Sequence, residues 1–287
     1  MNLCDEESIR ALLTRYGFHF SRSMGQNFLT DSDIPRRIAA SSGANRNCGV
    51  LEIGPGIGSL TVELSRLAGR VVSVELDRSL LPVLAETLAD CGNIEVISGD
   101  VMKLDLPSLV REKFSGLQPM VCANLPYNIT TPVLTRFIEA DCFESITVMV
   151  QREVARRICA APGASDCGSF SLYMQYHMET ELLFDVPPSS FTPRPKVTSS
   201  VLRCTRRAAP PVEVPDETFF FRVIRGAFAL RRKTLVNSLS SSLAPEFDRE
   251  AIREAVESCG LPTEIRGERL SLQDFSRLSI FLWKIRK

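Results

Sequence analysis

The segment Asn124-Leu125-Pro126-Tyr127 combines groups that could orient an amine for alkylation. An aromatic amine such as adenine N6 is a poor nucleophile, because its lone pair is delocalised into the ring. The amide oxygen of Asn124 and a main-chain carbonyl in the Leu125–Pro126 segment could accept both N6 hydrogens. The nitrogen would then turn more pyramidal and aim its lone pair at a methyl group carried by a sulfonium. Tyr127 offers a flat face for the base, and base–aromatic stacking is worth about 1–3 kcal/mol. Alignment of the two reactants can supply on the order of 7 kcal/mol or more. No general base is obligatory, since the proton turns acidic once the fourth bond forms. Asn124, Leu125, Pro126 and Tyr127 are therefore the candidate catalytic residues, with an ordinary turn as the plain alternative.

A second group of residues could hold a nucleoside. Gly54, Gly56 and Gly58 follow an apolar run and precede a helical pattern, so the chain can turn tightly and a ligand can approach the main chain. The spacing G-x-G-x-G is one residue shorter than the dinucleotide signature, although a dinucleotide fold would look similar. No Walker lysine follows, which disfavours a phosphate loop. Glu75 lies 21 residues after Gly54 and could accept from both hydroxyls of a ribose. Asp100 could accept from an adenine amine. Either acid alone could be a helix cap or a solvated residue. Together with the glycines they describe a pocket for an adenosine-bearing ligand.

These residues share one structural position. Between about 50 and 150, short β-rich runs alternate with helical patterns, which predicts an α/β unit with a parallel sheet covered by helices. The spacing predicts strands at 49–53, 70–74, 94–98, 120–123 and 145–150, each ending in a polar or glycine-rich segment. The carboxyl ends of such strands form the ligand-binding edge of an open sheet. Residues 31–40 read as a helix. Residues 186–196 are too rich in proline for a helix or a central strand, and 197–204 alternate like a late strand. After Arg207 the pattern turns helical. The expected domains are 1–207 and 208–287.

Composition narrows the class. The 287 residues are 44% hydrophobic and 24% charged, ordinary for a globular protein. No apolar stretch is long enough to cross a bilayer, and the acidic N-terminal residues resemble neither a secretory signal nor a transit peptide. A cytoplasmic protein without a membrane partner is expected. Nine cysteines, scattered and never in C-x-x-C, argue for reduced thiols and no metal site. The net charge is zero, yet residues 1–150 carry 13 basic against 18 acidic side chains and residues 151–287 carry 21 against 16. Such polarity suits a protein that meets phosphates on one side, although solvated faces vary as much. Arg222, Arg225, Arg231, Arg232 and Lys233 form a basic stretch that reads equally as a solvated helix face or as phosphate contacts. Phe191, in the proline-rich segment, is a second candidate stacking face or a packing residue. His19 and His177 read as structural.

The motifs in order, Gly25–Leu29 (GQNFL), Leu51–Gly58, Val74–Asp77, Gly99-Asp100, Asn124–Pro132 (NLPYNITTP), Pro187–Leu202 and Arg231–Leu239 (RRKTLVNSL), cover most of the chain. They resemble the bacterial small-subunit (16S) ribosomal RNA adenine dimethyltransferase family, itself similar to the erythromycin-resistance rRNA methyltransferases. The resemblance implies a Rossmann-like class I S-adenosylmethionine methyltransferase fold with a smaller C-terminal helical domain that assists rRNA binding. It implies S-adenosyl-L-methionine contacts at Asn27, Leu29, Gly54, Glu75, Asp100 and Asn124, of which Asn27 and Leu29 rest on the family alone. The candidate rRNA contacts, read from the residues themselves, are Tyr127, Phe191, Arg231, Arg232 and Lys233. The implied reaction is dimethylation of two adjacent adenines in the 3′-terminal hairpin loop of small-subunit rRNA, by a monomer, late in assembly of the 30S subunit. Arg194 departs from the family pattern, which often has proline or another small residue there, and could alter a phosphate contact. Two other readings are a DNA adenine or protein glutamine methyltransferase, disfavoured by Leu at 125, and a ribosome assembly factor whose binding role dominates.

Overall fold

The computed structural model describes residues 2–18 and 25–286. His19 and the rest of 19–24 lie outside the described residues. The first helix, α1 (Glu6–Arg15), is capped by Asp5, whose carboxylate accepts from the Ser8 amide at 2.8 Å. Acids in its first turn and Arg15 in its last suit the helix dipole. Ile9, Leu12 and Leu13 line its buried face at helical spacing. A two-residue strand, β1 (Phe28–Leu29), and helix α2 (Asp33–Ser41) follow.

A seven-stranded sheet then organises the larger unit. Its strands are β2 (Cys48–Ile53), β3 (Arg70–Glu75), β4 (Ile94–Ser98), β5 (Gln118–Asn124), β6 (Ser145–Gln151), β7 (Met178–Val186) and β9 (Ser199–Arg206). Their spatial order is β4-β3-β2-β5-β6-β9-β7. The pairs among β2 to β6 are parallel, and β9 runs antiparallel to β6. Helices α3 (Ser59–Leu67), α4 (Leu81–Thr87), α5 (Leu106–Lys113) and α6 (Thr130–Ala140) connect the parallel strands. Every residue of β2 is buried, as is all of β6 except Gln151. Covered on both faces, these strands read as near-continuous apolar runs rather than alternating ones. The chain order reverses between β2 and β5, so the mouth between their carboxyl ends is a switch point where ligands can enter. The short strand β8 (Phe191–Thr192) pairs with β1, setting Leu29 opposite Phe191. Among the described residues no helix is long and apolar enough to cross a membrane.

The chain divides into two units, Met1–Ala155 with Glu181–Arg206 and Arg156–Thr180 with Arg207–Lys287. This departs from the expected split at 207. The second part of α7 (Arg152–Ile158) and α8 (Ser169–His177) belong to the smaller unit, where Ala160, Leu172 and Tyr176 share a core with Phe220, Ile224 and Leu239. The rest of that unit comprises α9 (Glu217–Ala229), α10 (Leu235–Ser242), α11 (Arg249–Ser258) and α12 (Leu272–Ile285). Side-chain caps at Asp216, Thr234, Asp248 and Ser271 start these four helices. His177 packs against Tyr173, Tyr176 and Phe221, with Nε2 3.6 Å from Glu217, which accounts for it structurally. Five of the nine cysteines are buried, and burial pushes the Cys122 thiol well above its usual range.

Candidate active site

One pocket at the carboxyl edge of the sheet gathers residues from four strand ends. Gly54 and Gly56 follow β2, Glu75 ends β3, Asp100 follows β4 and Asn124 ends β5, and all five line it. Asn27 and Leu29 line it too, as do Leu125, Pro126 and Tyr127.

The glycine turn is dictated by backbone conformation. Gly54 and Gly56 have φ of 66° and 62°, a region that costs other residues roughly 1–2 kcal/mol. A Cβ at Gly54 would meet nothing nearer than Pro126 Cδ at 4.0 Å, so the main chain there lies open to a ligand. A Cβ at Gly56 would sit 3.0 Å from Phe28 Cε1. Phe28 belongs to a cluster with Ile9, Leu12, Leu13, Ile57 and Leu80, so α1 supports this side of the turn from behind.

The two acids differ in surroundings. Glu75 is 6% exposed, and its oxygens accept from the amides of Asp77 (2.8 Å) and Gly56 (3.3 Å). Burial raises its pKa, while those amides favour the charged form. Asp100 uses one oxygen to cap the short turn at 101–103 through the Met102 amide, 2.9 Å away. Capping and ligand binding are thus compatible at Asp100, because the cap occupies Oδ1 alone. These groups fit S-adenosylmethionine: an open glycine turn, a buried acid for ribose hydroxyls and an acid for an adenine amine.

The reactive corner is held at both ends. The Leu125 amide donates to the Met149 carbonyl on β6 at 3.1 Å, and the Leu125 side chain is 1% exposed. Pro126 O accepts from the Ile129 amide at 3.2 Å, closing the turn into α6. Among the described residues no protein group hydrogen-bonds the Asn124 side chain, so its amide is free for a ligand. Tyr127 is half-buried, its hydroxyl 2.6 Å from Ser199 Oγ on β9. Burial raises its pKa.

Phe191 does not line this pocket. It is 2% exposed and packs with Leu29, Ile34 and Val186, so it holds β8 against the core and presents no stacking face. Arg231, Arg232 and Lys233 lie in the smaller unit and are all exposed. Arg231 donates to the Ser165 carbonyl at 3.1 Å and lies 3.8 Å from Glu268. Glu52 was missed: it lines the pocket at 1% exposure, accepts from Ser73 Oγ at 2.7 Å, and burial pushes its pKa up to about 7. An acid within the apolar run Val50-Leu51-Glu52-Ile53 was the available signal, since carboxylates are rarely fully buried unless paired.

Comparison with known proteins agrees with this geometry. The ribosomal RNA adenine dimethylase family profile matches residues 17–280. The chain is 44% identical over 273 residues to ribosomal RNA small subunit methyltransferase A of Geobacillus thermodenitrificans, covering 94% of this chain and 93% of that one. It is 45% identical over 282 residues to the protein of the same name from Streptococcus thermophilus, covering 97% of each. Among solved structures it resembles the 23S rRNA methyltransferase ErmE, with a TM-score of 0.70 and 27% identity over 89% of this chain and 99% of that one. A dimethyladenosine transferase from Plasmodium falciparum shares the fold, with a TM-score of 0.75 and 24% identity over 89% and 97% of the two chains. With the glycine turn, two strand-end acids and Asn124 meeting at the switch point of such a fold, the chain belongs to the ribosomal RNA adenine dimethylase family of S-adenosylmethionine-dependent methyltransferases.

Proposed function

We propose that the chain dimethylates the N6 amines of two adjacent adenines in the 3′-terminal hairpin loop of small-subunit rRNA, acting in the cytoplasm as a monomer on the 30S subunit late in its assembly. The observation that carries this reading is the side-chain amide of Asn124, which hydrogen-bonds no protein group among the described residues and shares one pocket at the end of β5 with Glu75 and Asp100.

When bound, S-adenosylmethionine supplies a methyl group on a sulfonium, which departs as a neutral thioether. Glu75 accepts from the ribose hydroxyls and Asp100 from the adenine amine, while Asn27, Leu29 and Gly54 complete the cofactor contacts. Asn124 Oδ1 accepts one hydrogen of the target N6, and the Leu125 carbonyl accepts the other. Pro126 O is the weaker candidate for that second role because it already closes the turn to Ile129. With both hydrogens held, the amine lone pair faces the methyl group, and the proton is lost to solvent after transfer. The face of Tyr127 receives the unstacked base. Arg231, Arg232 and Lys233 contact rRNA phosphates from the helical unit.

The test is transfer of labelled methyl groups to small subunits lacking these modifications, to intact DNA and to free proteins. Transfer to the subunits, up to four methyl groups each, is expected. Cofactor binding without transfer to subunits would overturn the reading and leave a binding role in assembly, whereas transfer to DNA would redirect it to that substrate.

A further inference from the structure

Stacking needs only the face of an aromatic ring, so the hydroxyl of Tyr127 requires its own explanation. That hydroxyl lies 2.6 Å from Ser199 Oγ, and Ser199 is 0% exposed. We infer that Ser199 is a positioning residue for base capture, anchoring the far end of the Tyr127 ring so that its plane is set before the target adenine arrives. This rests on the placement of the base against Tyr127 proposed above.

Ser199 is well suited to the task because its own position is tightly fixed. It opens β9 opposite Gln151 of β6, and the Arg152 amide donates to the adjacent Thr198 carbonyl at 3.0 Å. Ser200, pointing to the other face of the strand, bonds Asp185. Tyr127 stands in a loop instead, between the end of β5 and the start of α6. The loop is tied through Leu125 to Met149 and through Thr130 Oγ1, 3.4 Å from the Pro126 and Tyr127 carbonyls. Those contacts fix the backbone but leave the ring its broad aromatic torsion. The bond to Ser199 adds a second fixed point at the opposite end of the side chain. It also satisfies a hydroxyl that would otherwise be buried unpaired. The phenol oxygen is meanwhile drawn toward β9, where it does not compete with Asn124 for the hydrogens of the target amine.

Pre-organisation of this kind acts on the reacting complex and leaves cofactor binding untouched. Ser199→Ala and Tyr127→Phe remove the same bond from opposite sides. Each is expected to lower kcat on unmethylated small subunits about five- to tenfold, the range of one hydrogen bond. Cofactor affinity and KM for subunits should stay near wild type, while the hydroxyl left unpaired lowers the melting temperature of either variant by a few degrees without unfolding it. The double variant should be no slower than either single one, and Ser199→Thr, which keeps the hydroxyl, should recover most of kcat. Unchanged kcat in both single variants, multiplicative losses in the double variant, or equal losses of kcat and cofactor affinity would each overturn the proposal. Tyr127→Ala separates the two levels of inference. If it slows turnover strongly while Ser199→Ala and Tyr127→Phe do not, Ser199 loses its role and the base placement stands; if Tyr127→Ala is also without effect, the base placement itself fails.

Discussion

The amide of Gly56 donates across 3.3 Å to the same carboxylate of Glu75 that accepts from the Asp77 amide on its other oxygen. The turn after β2 and the end of β3 are thereby one unit, and the acid is oriented before any ligand binds. Each oxygen retains lone-pair capacity for a ribose hydroxyl. Disturbing the turn should therefore reach the acid.

Gly56→Ala tests that coupling. The methyl group would stand 3.0 Å from Phe28 Cε1 on a backbone with φ of 62°. The strain is about 1–2 kcal/mol, and relief by movement of the turn pulls the amide away from Glu75. Calorimetric titration should show S-adenosylmethionine affinity reduced roughly tenfold, as 1.4 kcal/mol implies. Wild-type affinity in the variant would show that the turn and Glu75 are independent.

Asn124→Ala should separate chemistry from cofactor binding. Losing one preorganised polar group in an active site costs about 100- to 1000-fold in kcat. Turnover on unmethylated subunits should fall on that scale while cofactor affinity changes far less. Matching losses in both measurements would mean that Asn124 mainly holds the cofactor.

A double Arg232→Ala, Lys233→Ala change should weaken RNA binding and flatten its dependence on salt. Two phosphate contacts contribute about 1.5 to the slope of log affinity against log salt. Both side chains are exposed, so the fold should tolerate the change. An unaltered slope would assign this stretch to a solvated helix face.

Glu52 makes stability depend on pH in a defined window. Its carboxyl titrates near 4.5 in the unfolded chain and near 7 in the fold, raised chiefly by burial and also by the nearby Glu75 charge. Protonation is favoured by folding, so its stabilising effect is complete below pH 4.5 and fades as pH rises to 7. Glu52→Gln keeps an acceptor for Ser73 but cannot ionise. Denaturant unfolding should show the variant gaining on the wild type between pH 4.5 and 7, by about 3 kcal/mol at 1.36 kcal/mol per pKa unit, and by a constant amount above. Curves that stay parallel across this range would mean that Glu52 ionises freely in the fold.

The sheet was legible because its strands carry largely apolar runs that stop at polar or glycine-rich segments. Ile94–Ser98 matches the expected bounds, and the others shift by one or two residues. Glu75, Asp100 and Asn124 were readable for the same reason, since a parallel sheet delivers each strand end to one edge. Phe191 was not readable as a core residue, because its burial depends on Leu29, over 160 positions earlier, through a two-residue ribbon. Ser199 went unnoticed since its partner is Tyr127, brought close only by the antiparallel return of β9 along β6. Neither α1 nor β7 was anticipated, and the orientation of β9 left no trace in local pattern.

The membership of Arg156–Thr180 in the smaller unit has a consequence for how such proteins can be recombined. The polypeptide enters that unit twice, so a crossover at residue 207 divides one hydrophobic core between two parents. A chimera joined there would ask Leu172 and Tyr176 of one lineage to accept Phe220 and Leu239 of another. Only a two-breakpoint exchange, taking 156–180 together with 207–287, transfers the helical unit intact. Descent within this architecture should therefore favour joint inheritance of the two segments, with compensating changes arising across the 26 residues, 181–206, that separate them.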